Sequence, residues 1–324
     1  MQFDLVVLVV VLALGIDAAF GYPDALFRRV GHPVTWIGWL IATLDEGLNR
    51  ETWSLATRRV AGIGALIVLL AVCVFAALAV QALLGATWPG LIGVAIVAST
   101  LIASRSLYNY VREVAVALEA GGLTAGRRAV SRIVGRDPET LDEHGVARAA
   151  IESLAENASD GVVAPVFWFL VLGLPGLVAY KAINTADSMI GHRTERHEAF
   201  GWASARLDDL VNLPASRLTA LLFALAAAVH PGASPRSALA AMMRDAHKHR
   251  SPNAGWPESS VAGALGLKLN GPKYYGDQRT DDAYMGDGKA DATPGDIRCA
   301  LRLATIAWGL TVALLILISF NVRG

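Results

Sequence analysis

Sulfur and charge are both scarce in this chain, and each scarcity narrows what it can be. Only two cysteines occur, Cys73 and Cys299, each inside or beside an apolar run. Two thiols cannot assemble a cysteine metal cluster, and their setting reads as a pair of inert buried thiols rather than a disulfide. Charged residues make up 17% of the sequence while 54% is hydrophobic. A soluble domain carries about 25% charged residues, so this chain cannot clothe a water-facing surface in the usual way. Lys plus Arg (28) balances Asp plus Glu (28), and without a basic excess there is no footprint for a nucleic-acid partner. Several nucleotide and metal motifs are missing as well: no GxxxxGK[ST] string, no GxGxxG after a strand and no HExxH pair. Any nucleotide is therefore expected on carboxylate-bound Mg²⁺ and basic residues, not on a Walker loop. No internal repeat or long low-complexity tract appears.

What is abundant is the apolar run. A hydrocarbon core about 30 Å thick needs roughly 20 apolar residues in helix. Val60–Leu84, Trp88–Ala103 and Cys299–Phe320 meet that test, and Leu5–Phe20 is shorter but plausible. The first stretch lacks a basic leader and holds Asp4 and Asp17 close by, so it reads as a retained helix rather than a signal peptide. Spans are expected near 4–20, 60–84, 88–104 and 299–320. Two segments are ambiguous. Residues 161–180 contain Pro165, Gly173, Pro175 and Gly176, and the run within 218–230 is short for a span.

The short connection Gly85–Thr87 has no Lys or Arg, whereas Arg50, Arg58 and Arg59 lie before it and Arg105, Arg112, Arg127, Arg128, Arg132 and Arg136 after it. Both flanks therefore belong in the cytoplasm, as does the loop with Arg244, Lys248, Arg250, Lys268 and Lys273. A single crossing at 161–180 would strand Lys181, Arg193, Arg196, Arg206 and Arg217 outside. Re-entrant or partly buried helices at 161–180 and 218–230 remove the conflict. The expected fold is an all-α, polytopic integral membrane protein with such helices and cytoplasmic helical loops. It forms one membrane-embedded catalytic domain over residues 1–324, multi-pass in the inner cell membrane, with its site facing the cytoplasm. Residues 105–160 read as an amphipathic helical region with a turn at Asp137-Pro138, and residues 271–296, rich in Gly, Asp and Pro, as a solvated loop.

Four constellations carry chemistry. Glu152, Glu156 and Asp160 recur every four residues, so a regular helix sets them on one side. Like charges so spaced repel; they are either a solvated acidic face or a cation site, and oxygen donors of this kind suit Mg²⁺. In Lys181 to His192, the residues Asn184, Asp187, Ser188 and Gly191 share a helix face, which is either ligand-facing or packed against a neighbouring helix. Arg206-Leu-Asp208-Asp209-Leu-Val-Asn212 is a DDxxN array like those that hold metal-diphosphates, a weak match on its own. Ser251-Pro-Asn253-Ala-Gly-Trp256-Pro-Glu258 packs turn formers and polar groups into a tight loop; Trp256 alone could be an interface anchor. A lone His32 in Gly31-His32-Pro33-Val34 reads as structural more readily than as a ligand.

Taken together these strings resemble the CobD/CbiB cobalamin-biosynthesis proteins, the adenosylcobinamide-phosphate synthases. The resemblance runs in order through His32-Pro33-Val34, Ile133–Asp137, Glu152–Pro165, Tyr180–Thr185, Asp187–Met189, Phe200-Gly201, Ala205–Asp209, Asn212, Pro214 and Ser251–Gly263. It departs at His192-Arg193, where an aromatic-Lys pair is commoner. The resemblance implies an ATP-driven ligase, with Mg²⁺ as cofactor. It would join (R)-1-amino-2-propanol phosphate or ethanolamine phosphate to a propionate of adenosylcobyric acid. Matching residues then take roles by chemistry: Glu152, Glu156, Asp160, Asp187 and Asp208 as catalytic groups, and Glu152, Glu156, Asp160, Asp208, Asp209 and Asn212 around the metal. Lys181, Asn184, Ser188, His192, Arg206, Arg217, Ser251, Asn253, Trp256 and Glu258 would bind substrate. Expected partners are these substrates and the lipid bilayer, with a homo-oligomer or an association with other late cobalamin-pathway enzymes. A corrinoid or metal-ion transporter is the rival class, and a membrane prenyl- or phosphotransferase a second.

Overall fold

The computed structural model describes the backbone of residues 3–135, 137–275 and 278–322, and the side chains among them except over 273–279 and 321–322. Arg136 and the Lys273 side chain, both used in the charge argument, lie outside the described residues. Among the described residues twelve α-helices dominate, with four strands of two or three residues. Six stretches of helix are long and apolar enough to cross a membrane: Phe3–Phe20, Leu55–Leu84, Trp88–Val130, Glu143–Ile190, Trp202–Ala227 and Pro294–Phe320. The chain is an all-α, polytopic membrane protein.

Contacts divide it into two compact units, residues 1–103, 164–212 and 319–324 in one, residues 104–163 and 213–318 in the other. The first unit holds α1 (Phe3–Phe20), α2 (Asp24–Val30), α3 (Pro33–Leu48), α4 (Leu55–Leu84), α5 (Trp88–Ser99), α8 (Ala164–Ile190) and the opening turns of α9 (Trp202–Ala227). Polar caps decide where its helices begin. His32 Nδ1 accepts from Val34 N–H with Pro33 in the first turn, and the Ser54 and Thr87 hydroxyls accept from Thr57 and Gly90 N–H. His32 is thus a cap, held neutral because burial, and then the charge of Lys181, keep its pKa below the ordinary imidazole value. The core of this unit is Ile37, Ile41, Leu66, Leu69, Ile190 and Phe200, where α3, α4 and α8 meet. Each such side chain contributes about 1.5–3 kcal/mol by leaving water.

The second unit holds α6 (Ser104–Val130), α7 (Glu143–Ala158), a π-helical turn (Ser159–Val163), the remainder of α9, α10 (Pro235–Asp245), α11 (Gly255–Leu265) and α12 (Pro294–Val322). Asp137 caps the short turn Pro138–Thr140 and Asp142 caps α7, so the break expected at Asp137-Pro138 is there.

Two expectations about the ambiguous segments change. The run at 218–230 is only the C-terminal half of a 26-residue helix, α9, which begins at Trp202 and carries Asp208, Asp209 and Asn212. Counting apolar residues alone hid its polar half. Segment 161–180 enters α8 through the π-helical turn and is broken at Gly173, whose φ of 68° only glycine adopts cheaply; Pro175 follows without an N–H to restore the ladder. By length and composition both segments qualify as spans. The stretch 271–296 is not a plain solvated loop either. It forms the hairpin β2 (Lys273–Tyr275) with β3 (Gln278–Thr280), and β4 (Tyr284–Met285) pairs with β1 (Leu269–Asn270). Met285 and Ala292 are buried because this stretch folds onto its own unit.

Candidate functional site

In the first unit, α8 and the opening of α9 run side by side, tied by Trp168 Nε1 donating to the Val211 carbonyl at 3.1 Å and by Tyr180 OH donating to Asn212 Oδ1 at 2.9 Å. Between these ties lies Asp208, only 8% exposed. Each of its oxygens takes one amide N–H: Asn212 Nδ2 at 3.0 Å and Asn184 Nδ2 at 3.4 Å. Lys181 Nζ in turn donates to Asn184 Oδ1 at 3.3 Å. A polar chain therefore runs Lys181, Asn184, Asp208, Asn212, Tyr180 across two helices. Among the described residues no Lys, Arg or His side chain lies within ion-pair distance of Asp208. Its charged neighbours are instead Asp187 and Asp209, both within electrostatic reach.

Asp187 turns back over Gly191: a Cβ built on Gly191 would stand 2.0 Å from Asp187 Oδ1, so only glycine fits there. His192, exposed at the end of α8, bears electrostatically on Asp187. Ser188 is exposed and its hydroxyl is spent on the Asn184 carbonyl at 2.9 Å. Arg206, also exposed, reaches Asp209 at 3.6 Å. Of the DDxxN array, then, Asp208 and Asn212 face inward while Asp209 opens on a cleft of about 340 Å³ lined by Arg59, Gly191, Arg193, Glu198, Trp202 and Arg206.

The remaining site residues of the sequence reading belong to the second unit. Glu152 is 5% exposed and its Oε1 accepts from the Asn270 N–H at 2.7 Å, which anchors β1. Glu156 is exposed and Asp160 half-buried. The regular helix ends at Ala158, and the wider π-helical turn changes the register before Asp160. Along this stretch burial passes from Glu152, buried, through Glu156, exposed, to Asp160, half-buried. Ser251 and Asn253 organise the entry to α11: Ser251 Oγ accepts from Asn253 and Ala254 N–H, and Asn253 Oδ1 accepts from Ser216 Oγ at 3.1 Å and Arg217 NH1 at 2.9 Å. The Arg217 guanidinium lies over the Trp256 ring at 4.6 Å, so Trp256 holds a cation rather than serving as a bare interface anchor. Glu258 is 2% exposed, with Oε1 3.7 Å from His249 Nε2.

Two buried networks escaped the sequence. In the first unit Asp45 Oδ2 takes Arg196 NH2 at 2.7 Å and Asp45 Oδ1 takes Asn49 Nδ2 at 2.7 Å, while Arg58 donates to Asn49 Oδ1 at 2.7 Å and to the Arg196 carbonyl. Burial opposes ionisation of Asp45, but the Asn49 and Arg196 hydrogen bonds and the Arg196 charge outweigh it and hold its pKa below the ordinary value. In the second unit Asp245, 0% exposed, takes two hydrogen bonds from Arg244, one from Lys248 and one from the Gly286 N–H. Its pKa is pushed well below the carboxylate range, chiefly by Arg244 and against the effect of burial. The links from Asp45 to Arg196 and from Asp245 to the Gly286 N–H join residues far apart in sequence, and no local pattern announces them.

Among the described residues there is no group of three or more His, Cys, Asp or Glu side chains placed to hold a metal. Mg²⁺, however, commonly takes one or two carboxylates and completes its octahedron with substrate phosphates and water. Asp208 fits that mode as one such carboxylate: each of its oxygens takes a single amide N–H and, among the described residues, no Lys, Arg or His lies within ion-pair distance.

The sequence model described as "CobD/Cbib protein" matches residues 10–304. A protein of Rhodobacter capsulatus named "Cobalamin biosynthesis protein CobD" is 54% identical over 293 residues, 90% of this chain and 91% of its own. Proteins of the same name from a Sinorhizobium species and from Brucella suis are each 48% identical. They cover 96% and 98% of this chain, and 98% and 97% of their own lengths. No solved structure matches. With a family match over most of its length and relatives this similar end to end, the chain belongs to the CobD/CbiB family.

Proposed function

We propose that this chain acts in cobalamin biosynthesis as adenosylcobinamide-phosphate synthase. It would be an ATP-dependent ligase that joins (R)-1-amino-2-propanol phosphate, or ethanolamine phosphate, to the propionate of adenosylcobyric acid. The family supports a role in the pathway. The observation that carries the ligase reading is Asp208, a buried carboxylate met by two amides, within electrostatic reach of two further carboxylates and, among the described residues, with no cation in ion-pair distance.

The chemistry asks for such a site. A carboxylate is a poor acyl donor, so its oxygen first attacks the γ-phosphorus of ATP and ADP leaves. The amine then attacks the acyl phosphate carbon, the C–O bond to phosphate breaks, and the amine loses a proton. Phosphoryl transfer is mostly positioning and charge neutralisation. Bound Mg²⁺ would supply the neutralising charge to the phosphate oxygens. Asn184 and Asn212 fix both oxygens of Asp208, so the carboxylate meets its ligand without reorganising. Asp187, whose carboxylate lies against Gly191 of the cleft wall, would accept the amine proton. Arg217, with no carboxylate in ion-pair distance among the described residues, has a cation to offer a phosphate in its own unit. The charge distribution supports an inner-membrane setting with the site on the cytoplasmic side.

The test is direct. Detergent-purified protein is given adenosylcobyric acid, aminopropanol phosphate, ATP and Mg²⁺. Amide and ADP in equal amounts are expected. No amide from folded protein, with corrinoid flux in proteoliposomes instead, overturns the reading in favour of transport.

A further inference from the structure

The cleft beside Asp209 has a lining that the Asp208 chemistry leaves unexplained. Three arginines, Arg59, Arg193 and Arg206, come to it from three places: the start of α4, the loop after α8 and the second turn of α9. Among the described residues neither Arg59 nor Arg193 has a carboxylate within ion-pair distance, and Arg59 is instead held over the Trp202 ring at 5.0 Å. The first turn of α9, a long helix, opens on the same space and adds the positive end of its dipole. Two carboxylates complete the wall, Glu198 and Asp209, the latter 3.6 Å from the exposed Arg206, a pair that the ligand would have to part.

Like charges are not gathered this way by chance folding, because the loop that brings Arg193 and Glu198 is pinned from beneath. Arg58 donates to the carbonyls of Glu195 and Arg196, Asn49 Nδ2 donates to the same Arg196 carbonyl at 2.9 Å, and Arg196 closes on Asp45. Three nearly buried polar groups, Asp45, Asn49 and Arg58, are thus committed to fixing a loop whose Arg193 has no ion-pair partner among the described residues. Such support under a surface group is what a preorganised binding site needs.

We propose that this cleft seats a phosphomonoester that also carries an ammonium group. Arg59, Arg193 and Arg206 take the phosphate, and Asp209 with Glu198 takes the ammonium. Guanidinium forks match phosphate oxygens in pairs, and the two carboxylates give an ammonium group partners that a purely anionic ligand would leave unused. At about 340 Å³ the cleft suits a small molecule and not a corrinoid. The assignment rests on the ligase reading and deepens it, since the amine would lie next to Gly191 and the Asp187 carboxylate that covers it.

Binding to full-length protein in nanodiscs, without ATP or corrinoid, tests it. The probes are phosphoethanolamine, inorganic phosphate and ethanolamine, read by calorimetry. Phosphoethanolamine should bind more tightly than either fragment. Arg193→Gln and Arg59→Gln should each weaken it roughly tenfold or more, while Arg28→Gln, on exposed α2, should not. Glu198→Gln should weaken phosphoethanolamine and leave inorganic phosphate unweakened. Equal affinity for phosphate and phosphoethanolamine, or indifference to both arginine variants, overturns the proposal. The two readings fail separately. Protein that binds as described but makes no amide defeats the ligase reading alone. Protein that makes amide while Arg193→Gln and Arg59→Gln keep the wild-type KM for the aminoalkyl phosphate defeats this cleft alone.

Discussion

Asp208 and Asp245 are both buried aspartates on helices, and their surroundings could hardly differ more. Asp245 is met by Arg244, Lys248 and the Gly286 N–H, so its charge is balanced inside the protein. Asp208 is met by two neutral amides and faces Asp187 and Asp209. An unbalanced buried charge costs several kcal/mol, and a fold that keeps one has a use for the missing positive charge. Balanced acids hold the structure together; the unbalanced acid is where an external cation or proton is to arrive. The same division separates the arginines. Arg196 and Arg244 are committed to aspartates, whereas Arg59 and Arg193 wait on a cleft.

The largest effect that could break this division is on turnover. Asp208→Asn should lower amide synthesis by about 10²–10⁴-fold, the range for a charge-handling or proton-transferring group, while the protein stays folded. Gly191→Ala comes next. Its Cβ would displace Asp187 Oδ1 and also press on the Asp187 carbonyl oxygen 2.6 Å away, so turnover should fall on the order of 10²-fold per folded molecule and the melting temperature should fall with it. Asp245→Asn should do the reverse: a loss of roughly 1.5–3 kcal/mol in stability, seen as earlier melting in detergent, with turnover per folded molecule kept.

The smallest effect sharpens the comparison through pH. Asp45 and Asp245 both have folded pKa values below the ordinary carboxylate value, so they release protons more readily in the folded state. Their contributions are complete above the unfolded value of about 3.9 and are lost as pH falls through the lower folded values. The melting-temperature gap between wild type and Asp245→Asn should stay constant from about pH 7 to 5 and shrink below about pH 4. A gap that widens in acid would contradict the assignment.

Much of this was legible in the chain. The apolar runs marked the helices, and the four-residue spacing of Asp208 and Asn212 put the right pair on one face. Asn184 and Asp187 were legible for the same reason. What stayed hidden was whatever depends on two distant segments meeting. Tyr180 completes the Asp208 chain from 32 positions away, and Asp45 finds Arg196 across 151. Arg59 read as a topology signal and Arg193 as part of a departure from the family pattern, because a cleft has no period in sequence.

The division between balanced and unbalanced aspartates is open to a single side-by-side assay. Wild type, Asp208→Asn and Asp245→Asn are brought to equal amounts of folded protein, and amide formation is followed with all four components present. The account predicts that Asp245→Asn turns over like wild type and that Asp208→Asn is nearly silent. Equal activity in Asp208→Asn and wild type would contradict it.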